Sequence, residues 1–166
     1  MPLTQAEFDV LVDEHGVVLY RMAYRMVGDA HEAEDLVQET FRSAWTSREG
    51  YVSERGGRAW LVSILRRRAV DRWRRRKLPS VFGGETELEV EVHDRDPVAD
   101  TYSDEMQRAL TKLPEALRET LLLVVVGELT HQEVADMLSV PLGTVLSRVS
   151  RARDRLRQFL VSESTK

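Results

Sequence analysis

Arginine and hydroxyl side chains recur at helical spacing near the end of the chain, where they could contact a polyanion. An arginine on such a face can bind guanine O6 and N7, or clamp a phosphate, through two parallel hydrogen bonds. Serine and threonine hydroxyls can bond phosphates or base edges. The pattern also fits an ordinary solvated face, because arginine is a good helix former. The outward positions, which we call the reading face, are Thr144, Ser147, Arg148, Arg151 and Arg155.

Two short helices joined by a tight turn are predicted to position these side chains. Thr130 and Glu133 have the spacing of a capping box, so the first helix should begin near His131. The turn falls at Ser139, and Pro141 suits the start of a second helix because an N–H there would lack a partner. The second helix must bury Val145, Val149, Ala152, Leu156 and Phe159. This helix-turn-helix pattern predicts major-groove DNA binding, although some protein-binding modules share it.

A second basic segment, GRAWLVSILRRRAVDRWRRRK, spans residues 57–77. Apolar residues from Trp60 to Trp73 lie near one helical side, and the other side is almost entirely arginine. Guanidinium groups beside tryptophans can grip unpaired bases, although the tryptophans are better explained as core residues. The density of arginine favours contact with a polyanion. The preceding loop could line a pocket for an extruded base through Arg48, Tyr51, Ser53 and Arg55.

An amphipathic helix is predicted before this loop. Asp29 and Glu32 have capping-box spacing, and apolar residues from Ala33 to Trp45 repeat at helical intervals. Its polar face fits either wet surface or a partner-binding surface. Two of its carboxylates are one turn apart, but the sequence supplies no pocket for an acid–base pair. The polar face carries Glu34, Asp35, Gln38, Glu39 and Arg42.

The remaining helices follow from the apolar periodicity. Residues from Phe8 to Met26 predict one or two amphipathic helices that end near Gly28. An apolar face continues across Pro114, and the run LLLVVV is predicted as a buried helix that ends at Gly127.

Composition bounds the class of protein. The chain has 166 residues, 42% of them hydrophobic, and no cysteine, which excludes disulfides and thiolate metal sites. The four histidines are scattered, and no apolar run approaches the roughly 20 residues that span a bilayer. The first residues, MPLTQAEFD, are acidic where a signal peptide would be basic. We therefore expect a cytoplasmic protein that does not insert into a membrane and holds no metal or cofactor.

The charge of −4 hides strong segregation along the chain. Residues 66–77 and 148–157 are basic, whereas residues 85–105 are acidic and lack a sustained helical period. The simplest division is a helical domain at 1–78, an acidic linker at 79–104 and a second helical domain at 105–166. Within the linker, residues 85–92 alternate acidic and apolar side chains, and a lone strand there would be unstable. Such a chain should bind free duplex DNA poorly unless a partner sequesters the acidic part.

These motifs resemble the extracytoplasmic-function (ECF) class of bacterial RNA polymerase sigma factors over nearly the whole chain. The matching motifs are DAHEAEDLVQETFRSAW, AWLVSILRRRAVDRWRRRK and ALTKLPEALRETLLLVVVGELTHQEVADMLSVPLGTVLSRVSRARDRL. The resemblance implies an all-α fold of two small helical domains, sigma region 2 and sigma region 4, joined by a flexible acidic linker. Two residues depart from the pattern: many members have asparagine at Arg67 and glycine at Ser139. Serine tolerates a positive φ less well than glycine, which predicts a turn at Ser139 that is either slightly strained or differently shaped.

The resemblance also assigns roles to residues. It implies a docking face for the β′ clamp helices of the polymerase, formed by Asp35, Gln38, Glu39 and Arg42. It implies a minus-10 set that reads and helps open DNA, formed by Arg48, Tyr51, Ser53, Arg55, Arg66, Arg67, Asp71, Arg74 and Arg75. The reading face would recognise the minus-35 element.

The implied function is that of a sigma factor, a dissociable specificity subunit without catalytic chemistry. Its expected partners are core RNA polymerase, through the β′ clamp helices and the β subunit, promoter DNA, and an anti-sigma factor that holds it inactive. Two rival classes remain open. A two-domain regulator would bind operator duplex without polymerase, whereas a nucleic-acid enzyme would need metal ligands, a nucleophile or an acid–base pair, none of which the sequence offers.

Overall fold

The chain forms two separate helical units in the computed structural model, which describes residues 2–77 and 103–165. One unit lies before residues 78–102 and the other after them. The predicted acidic linker and the strand weighed at residues 85–92 lie largely or wholly outside the described residues. Every regular element within the described ranges is helical, which confirms the all-α prediction.

The first unit contains three α-helices. They are α1 (Gln5–Val27), α2 (Ala30–Thr46) and α3 (Gly57–Lys77). Two short 3₁₀ turns, Arg48–Gly50 and Ser53–Arg55, connect α2 to α3.

Helix α1 is one continuous helix whose ends follow from local sequence. Thr4 and Glu7 form a capping box, and Gly28 ends the helix with a left-handed φ of 75°. The Thr4 backbone N–H, with help from its hydroxyl, holds the pKa of Glu7 below its usual value. The sequence predicted either one or two helices before Gly28, and the structure has one.

The core of the first unit lies where all three helices meet. Its fully buried large side chains are Leu19, Met22, Leu36, Leu61, Val62 and Leu65. Thr40 is also buried, and its hydroxyl is satisfied because it donates to the Leu36 carbonyl at 2.7 Å. Phe8 packs edge-on against Phe41 and tilted against Trp45.

The tryptophans occupy the edge of this core rather than its centre. Trp45, Trp60 and Trp73 are all half-buried, so the prediction of Trp60 and Trp73 as core residues holds only in part. All three tryptophans of the chain belong to the first unit.

The second unit contains four α-helices in its described part. They are α4 (Ser103–Thr111), α5 (Glu115–Val125), α6 (His131–Leu138) and α7 (Leu142–Ser164). Helix α5 contains five of the six residues of LLLVVV and buries Leu121, Leu122 and Leu123, so the prediction of a buried helix is confirmed. Gly127 follows the helix as expected, but the left-handed residue is its neighbour Glu128, with φ 54°.

The corner between α6 and α7 has the predicted geometry. The Thr130 capping box starts α6, and Pro141 lies immediately before α7 as its N-cap. Ser139 has φ 55° and ψ 45°, and its backbone N–H bonds the end of α6. The predicted strain is therefore present, because a side chain in the left-handed region costs on the order of 1 kcal/mol.

No helix within the described ranges is long and apolar enough to cross a membrane. Among these residues, no group of three or more histidine, aspartate or glutamate side chains is placed to hold a metal ion.

We expect Gly57→Ala to destabilise the first unit by about 0.5–1.5 kcal/mol, because an added Cβ would overlap Leu11 Cδ2 where α3 starts against α1 and would displace that side chain from its rotamer. Thermal unfolding followed by circular dichroism measures the loss. Gly50→Ala is the control, since a Cβ there meets nothing within 4 Å. In the double variant, Leu11→Ala should relieve part of the overlap. A double variant whose loss of stability equals the sum of the losses of the two single variants would contradict this account.

Ser139→Gly should stabilise the chain by about 0.5–1 kcal/mol, because glycine adopts the left-handed region without a Cβ penalty. Ser139→Val should destabilise it, since β-branched residues fit that region worst. Urea unfolding measures both changes. Ser150→Gly is the matched control, because Ser150 is an exposed position within α7. Glycine there should lower the free energy of unfolding by about 0.5 kcal/mol. Equal responses at the two serines would rule out strain at the corner.

Candidate polymerase and nucleic-acid interfaces

The docking face lies on α2, which is fixed at its start by a side-chain cap. Asp29 Oδ1 accepts the Glu32 backbone N–H at 2.9 Å, which supplies the N-cap half of the predicted capping box. The opposite side of the helix is anchored by buried Ala33, Leu36 and Ala44. This packing turns the docking face outward, with Asp35, Gln38 and Arg42 exposed and Glu39 half-buried.

Glu39 differs from the rest of the docking face because it is bonded to α3. Its Oε2 atom accepts two hydrogen bonds from Arg72, at 3.1 Å from Nη2 and 3.3 Å from Nε. Its Oε1 atom lies 3.8 Å from Arg68 Nη1. Sequence reasoning missed these partners, since periodicity gives the face of a residue but not what packs opposite it.

The loop between α2 and α3 holds its predicted residues against tryptophans. The guanidinium of Arg48 lies 4.2 Å from the centre of the Trp45 ring and donates to the Trp45 carbonyl at 2.9 Å. The ring of Tyr51 is tilted against Trp60 with centroids 4.8 Å apart. These contacts order the middle of the loop, and its other two predicted residues, Ser53 and Arg55, are exposed.

Helix α3 presents the rest of the minus-10 set. Leu61, Val62 and Leu65 bury one side of the helix completely. The side chains directed away from that core are Arg67, Asp71, Arg74 and Arg75, all exposed, with Arg66 half-buried.

An open cleft of about 450 Å³ joins the docking face to the minus-10 set. Its α2 wall includes Arg42, Thr46 and Ser47, and its α3 wall includes Arg67, Arg68 and Asp71. The Thr46 and Ser47 hydroxyls donate to carbonyls of their own helix, which leaves their oxygens able to accept. The cleft therefore combines guanidinium groups with hydroxyls, a chemistry suited to phosphate. Thr46, Ser47 and Arg68 were not predicted as site residues.

The reading face lies on α7, whose other side is buried through Val145, Val149 and Ala152. Within the reading face, Ser147, Arg151 and Arg155 are exposed and Thr144 and Arg148 are half-buried. The structure thus places the five predicted side chains along one side of a single helix, as their spacing required.

Two exposed leucines near the start of α7 were not anticipated. Leu142 and Leu146 are 41% and 48% exposed and one turn apart, but they lie roughly 160° around α7 from the reading face. They therefore form a small exposed apolar patch away from that face. The sequence signal was available, because neither residue falls on the buried stripe.

Comparison with known proteins agrees with this arrangement. The family model described as sigma-70 region 2 matches residues 11–78, and that described as sigma-70 region 4 matches residues 103–156. The chain is 32% identical to the ECF sigma factor SigW of Bacillus subtilis, over 94% of the chain and 90% of SigW. It is 35% identical to the ECF sigma factor SigE of Mycolicibacterium smegmatis over 95% of the chain, but spans only 63% of that longer protein.

Two solved structures share the fold. CnrH in complex with the cytosolic domain of CnrY superposes with a TM-score of 0.71 and 28% identity, over 96% of this chain and 90% of that one. The sigma factor RpoE in complex with the anti-sigma factor NepR, from Bartonella quintana, gives a TM-score of 0.70 and 28% identity, over 89% and 94%. With both sigma regions matched in order and SigW covered almost throughout, the chain belongs to the ECF sigma factors of RNA polymerase.

Proposed function

We propose that the chain binds core RNA polymerase as a dissociable specificity subunit and directs initiation at promoters with minus-10 and minus-35 elements. It works in the cytoplasm, uses no metal or cofactor, and performs no catalytic chemistry itself. The observation that carries the proposal is a pair of arginine faces, on α3 and α7, each on a helix whose opposite side is buried.

Recognition of the minus-35 element is assigned to the reading face. A helix with its side chains is about 10–12 Å wide, which matches the major groove of B-DNA. Arg151 and Arg155 are exposed one turn apart, so they can reach successive base edges or a base and a phosphate. Ser147 and Thr144 add hydroxyls, and the start of α6 is fixed by its capping box with hydrogen bonds of 2.8 and 3.1 Å.

Opening of the minus-10 element is assigned to α3 and the loop before it. Extruding a base costs a few kcal/mol of stacking and pairing, which compensating contacts must offset. Arg67, Arg74 and Arg75 supply phosphate contacts along the exposed side of α3. Arg48 and Tyr51 are held beside Trp45 and Trp60, so the loop offers ordered aromatic surface to an unpaired base.

Polymerase binding is assigned to the docking face, including the contact with the β′ clamp helices. A second contact, between the domain carrying α7 and the β subunit, follows from the family resemblance. The net charge of −4 supports a need for this partner, because it opposes non-specific attraction of the free chain to DNA. Polymerase would then hold the two arginine faces toward one promoter.

An anti-sigma factor is proposed as the regulator. The solved relatives CnrH and RpoE were both captured with a regulatory partner, the cytosolic domain of CnrY and the anti-sigma factor NepR. The similarity of this chain to CnrH covers almost its full length, which supports the same kind of control here.

Run-off transcription with purified core polymerase tests the function as a whole. We expect promoter-specific transcripts only when both chain and polymerase are present. Tight operator binding by the chain alone, without stimulation of polymerase, would instead indicate a conventional two-domain regulator.

Arg148→Ala or Arg151→Ala should each weaken promoter recognition by about 1–3 kcal/mol if the side chain binds guanine in bidentate fashion. Competition between promoter variants, measured with assembled holoenzyme over a range of salt, gives the loss. Arg157→Ala is the matched control, because Arg157 is exposed on the same helix but roughly 120° around it from Arg151. Unchanged selectivity and salt dependence in both test variants would remove the reading face from this assignment.

Asp35→Lys should cost roughly 2 kcal/mol of polymerase binding, because it reverses a charge at the proposed contact. It should leave the fold intact, since Asp35 is exposed. Binding to labelled core polymerase and a thermal melt measure the two effects. Asp13→Lys, at an exposed position of α1, controls for the change in net charge. Charge reversal at Glu39 is a poorer test, since it would place a third cation beside Arg68 and Arg72. Normal polymerase affinity of Asp35→Lys would place the docking surface elsewhere.

A further inference from the structure

Glu39 belongs to the docking face on α2, but its carboxylate contacts α3. It stands on α2 within the docking face, one turn after Asp35. Yet its carboxylate bonds Arg72 at 3.1 Å and lies 3.8 Å from Arg68, both of which belong to α3. The Glu39–Arg72 pair joins residues 33 positions apart, so it forms only when α2 and α3 are packed together.

Arg68 and Arg72 are one turn apart on the same side of α3, next to the minus-10 set but outside it. Their side chains keep 39% and 27% of their exposure, so both guanidiniums remain within reach of solvent. Arg68 also lines the cleft together with Arg42 and Arg67. Apart from the hydrogen bonds of Arg72 and the ion pair of Arg68 with Glu39, these are further cations on the surface proposed to bind the opened strand.

We propose that Glu39 is an autoinhibitory residue that masks Arg68 and Arg72 from nucleic acid in the free chain. This inference rests on the proposed function of the docking face. A cation of the docked polymerase competes for the Glu39 carboxylate, and both arginines then become available to the DNA backbone.

The masking works through exchange of one anion for another. Glu39 Oε2 accepts from both Nε and Nη2 of Arg72, so it occupies two donors that a phosphate oxygen would use, and its charge also lies 3.8 Å from Arg68. A phosphate that approaches while Glu39 is in place also meets its negative charge. Release of Glu39 therefore makes the guanidinium groups of Arg68 and Arg72 available to a phosphate and also removes one negative charge that repels it.

Because Glu39 lies within the docking face, binding of polymerase to that face would expose Arg68 and Arg72. A purely structural ion pair would stabilise the contact of α2 with α3 and leave nucleic-acid binding unchanged when neutralised. A masking carboxylate would instead suppress binding, and neutralising it would raise affinity even if the fold lost some stability. The two roles predict opposite changes in affinity and stability.

The test measures binding of oligo(dT) to the full-length chain without polymerase, since phosphate contacts do not depend on base sequence. Glu39→Gln should bind about tenfold more tightly at low salt and steepen the salt dependence by about 1.4, the equivalent of two added contacts to a single strand. Glu34→Gln, which removes the same charge from an exposed position of α2, should match the wild type.

A double-variant cycle tests whether the gain in oligo(dT) affinity depends on Arg72. Arg72→Gln alone should change binding little, because Arg72 is already masked, whereas in the Glu39→Gln background it should remove much of the gain. Glu39→Ala gives a second route to release, and circular dichroism shows that each variant is folded. An equal gain from Glu34→Gln, no gain from either Glu39 variant, or a gain indifferent to Arg72 would each overturn the proposal. Run-off transcription by the wild type reports separately on the proposed function, so the two failures are distinguishable.

Discussion

The packing of one narrow apolar side of α3 against α1 and α2 determines where the cations of the first unit point. Leu61, Val62 and Leu65 are completely buried in that contact, and burial of a leucine side chain contributes about 1.5–3 kcal/mol. Gly57 allows α3 to begin in close contact with Leu11, whose side chain would have to move to admit a Cβ there. With this side fixed, the arginines between the buried positions must face solvent, the cleft or α2.

In the second unit, a different set of local features fixes the direction of the arginine side chains. A capping box, a left-handed serine and a proline N-cap set the corner between α6 and α7. Val145, Val149 and Ala152 then fix the rotation of α7 about its axis, so the reading face points outward along its whole length. In both units, a buried apolar side fixes the rotation of the helix and therefore the direction in which its arginine side chains leave the backbone.

Features encoded within one helical turn were predictable from the sequence, and features that join distant segments were not. The Thr130 capping box, the stop at Gly28 and the buried face of α7 all depend on spacings of a few residues. By contrast, the bonds of Glu39 to α3 depend on the register of two helices, which no local pattern specifies. The family resemblance gave each surface a role, but it could not show that Glu39 touches two of them.

The placement of the aromatic residues has a practical consequence. Trp45, Trp60 and Trp73 all belong to the first unit, and the second has none. Indole emission therefore reports on the first unit alone, around α2, the loop and α3, while helical ellipticity reports on both units. Because Arg48 lies over the Trp45 ring and Tyr51 against Trp60, displacement of either side chain by a bound strand would alter that emission directly. The chain thus carries tryptophan probes in its first unit and none in its second, so emission changes can be assigned to one unit.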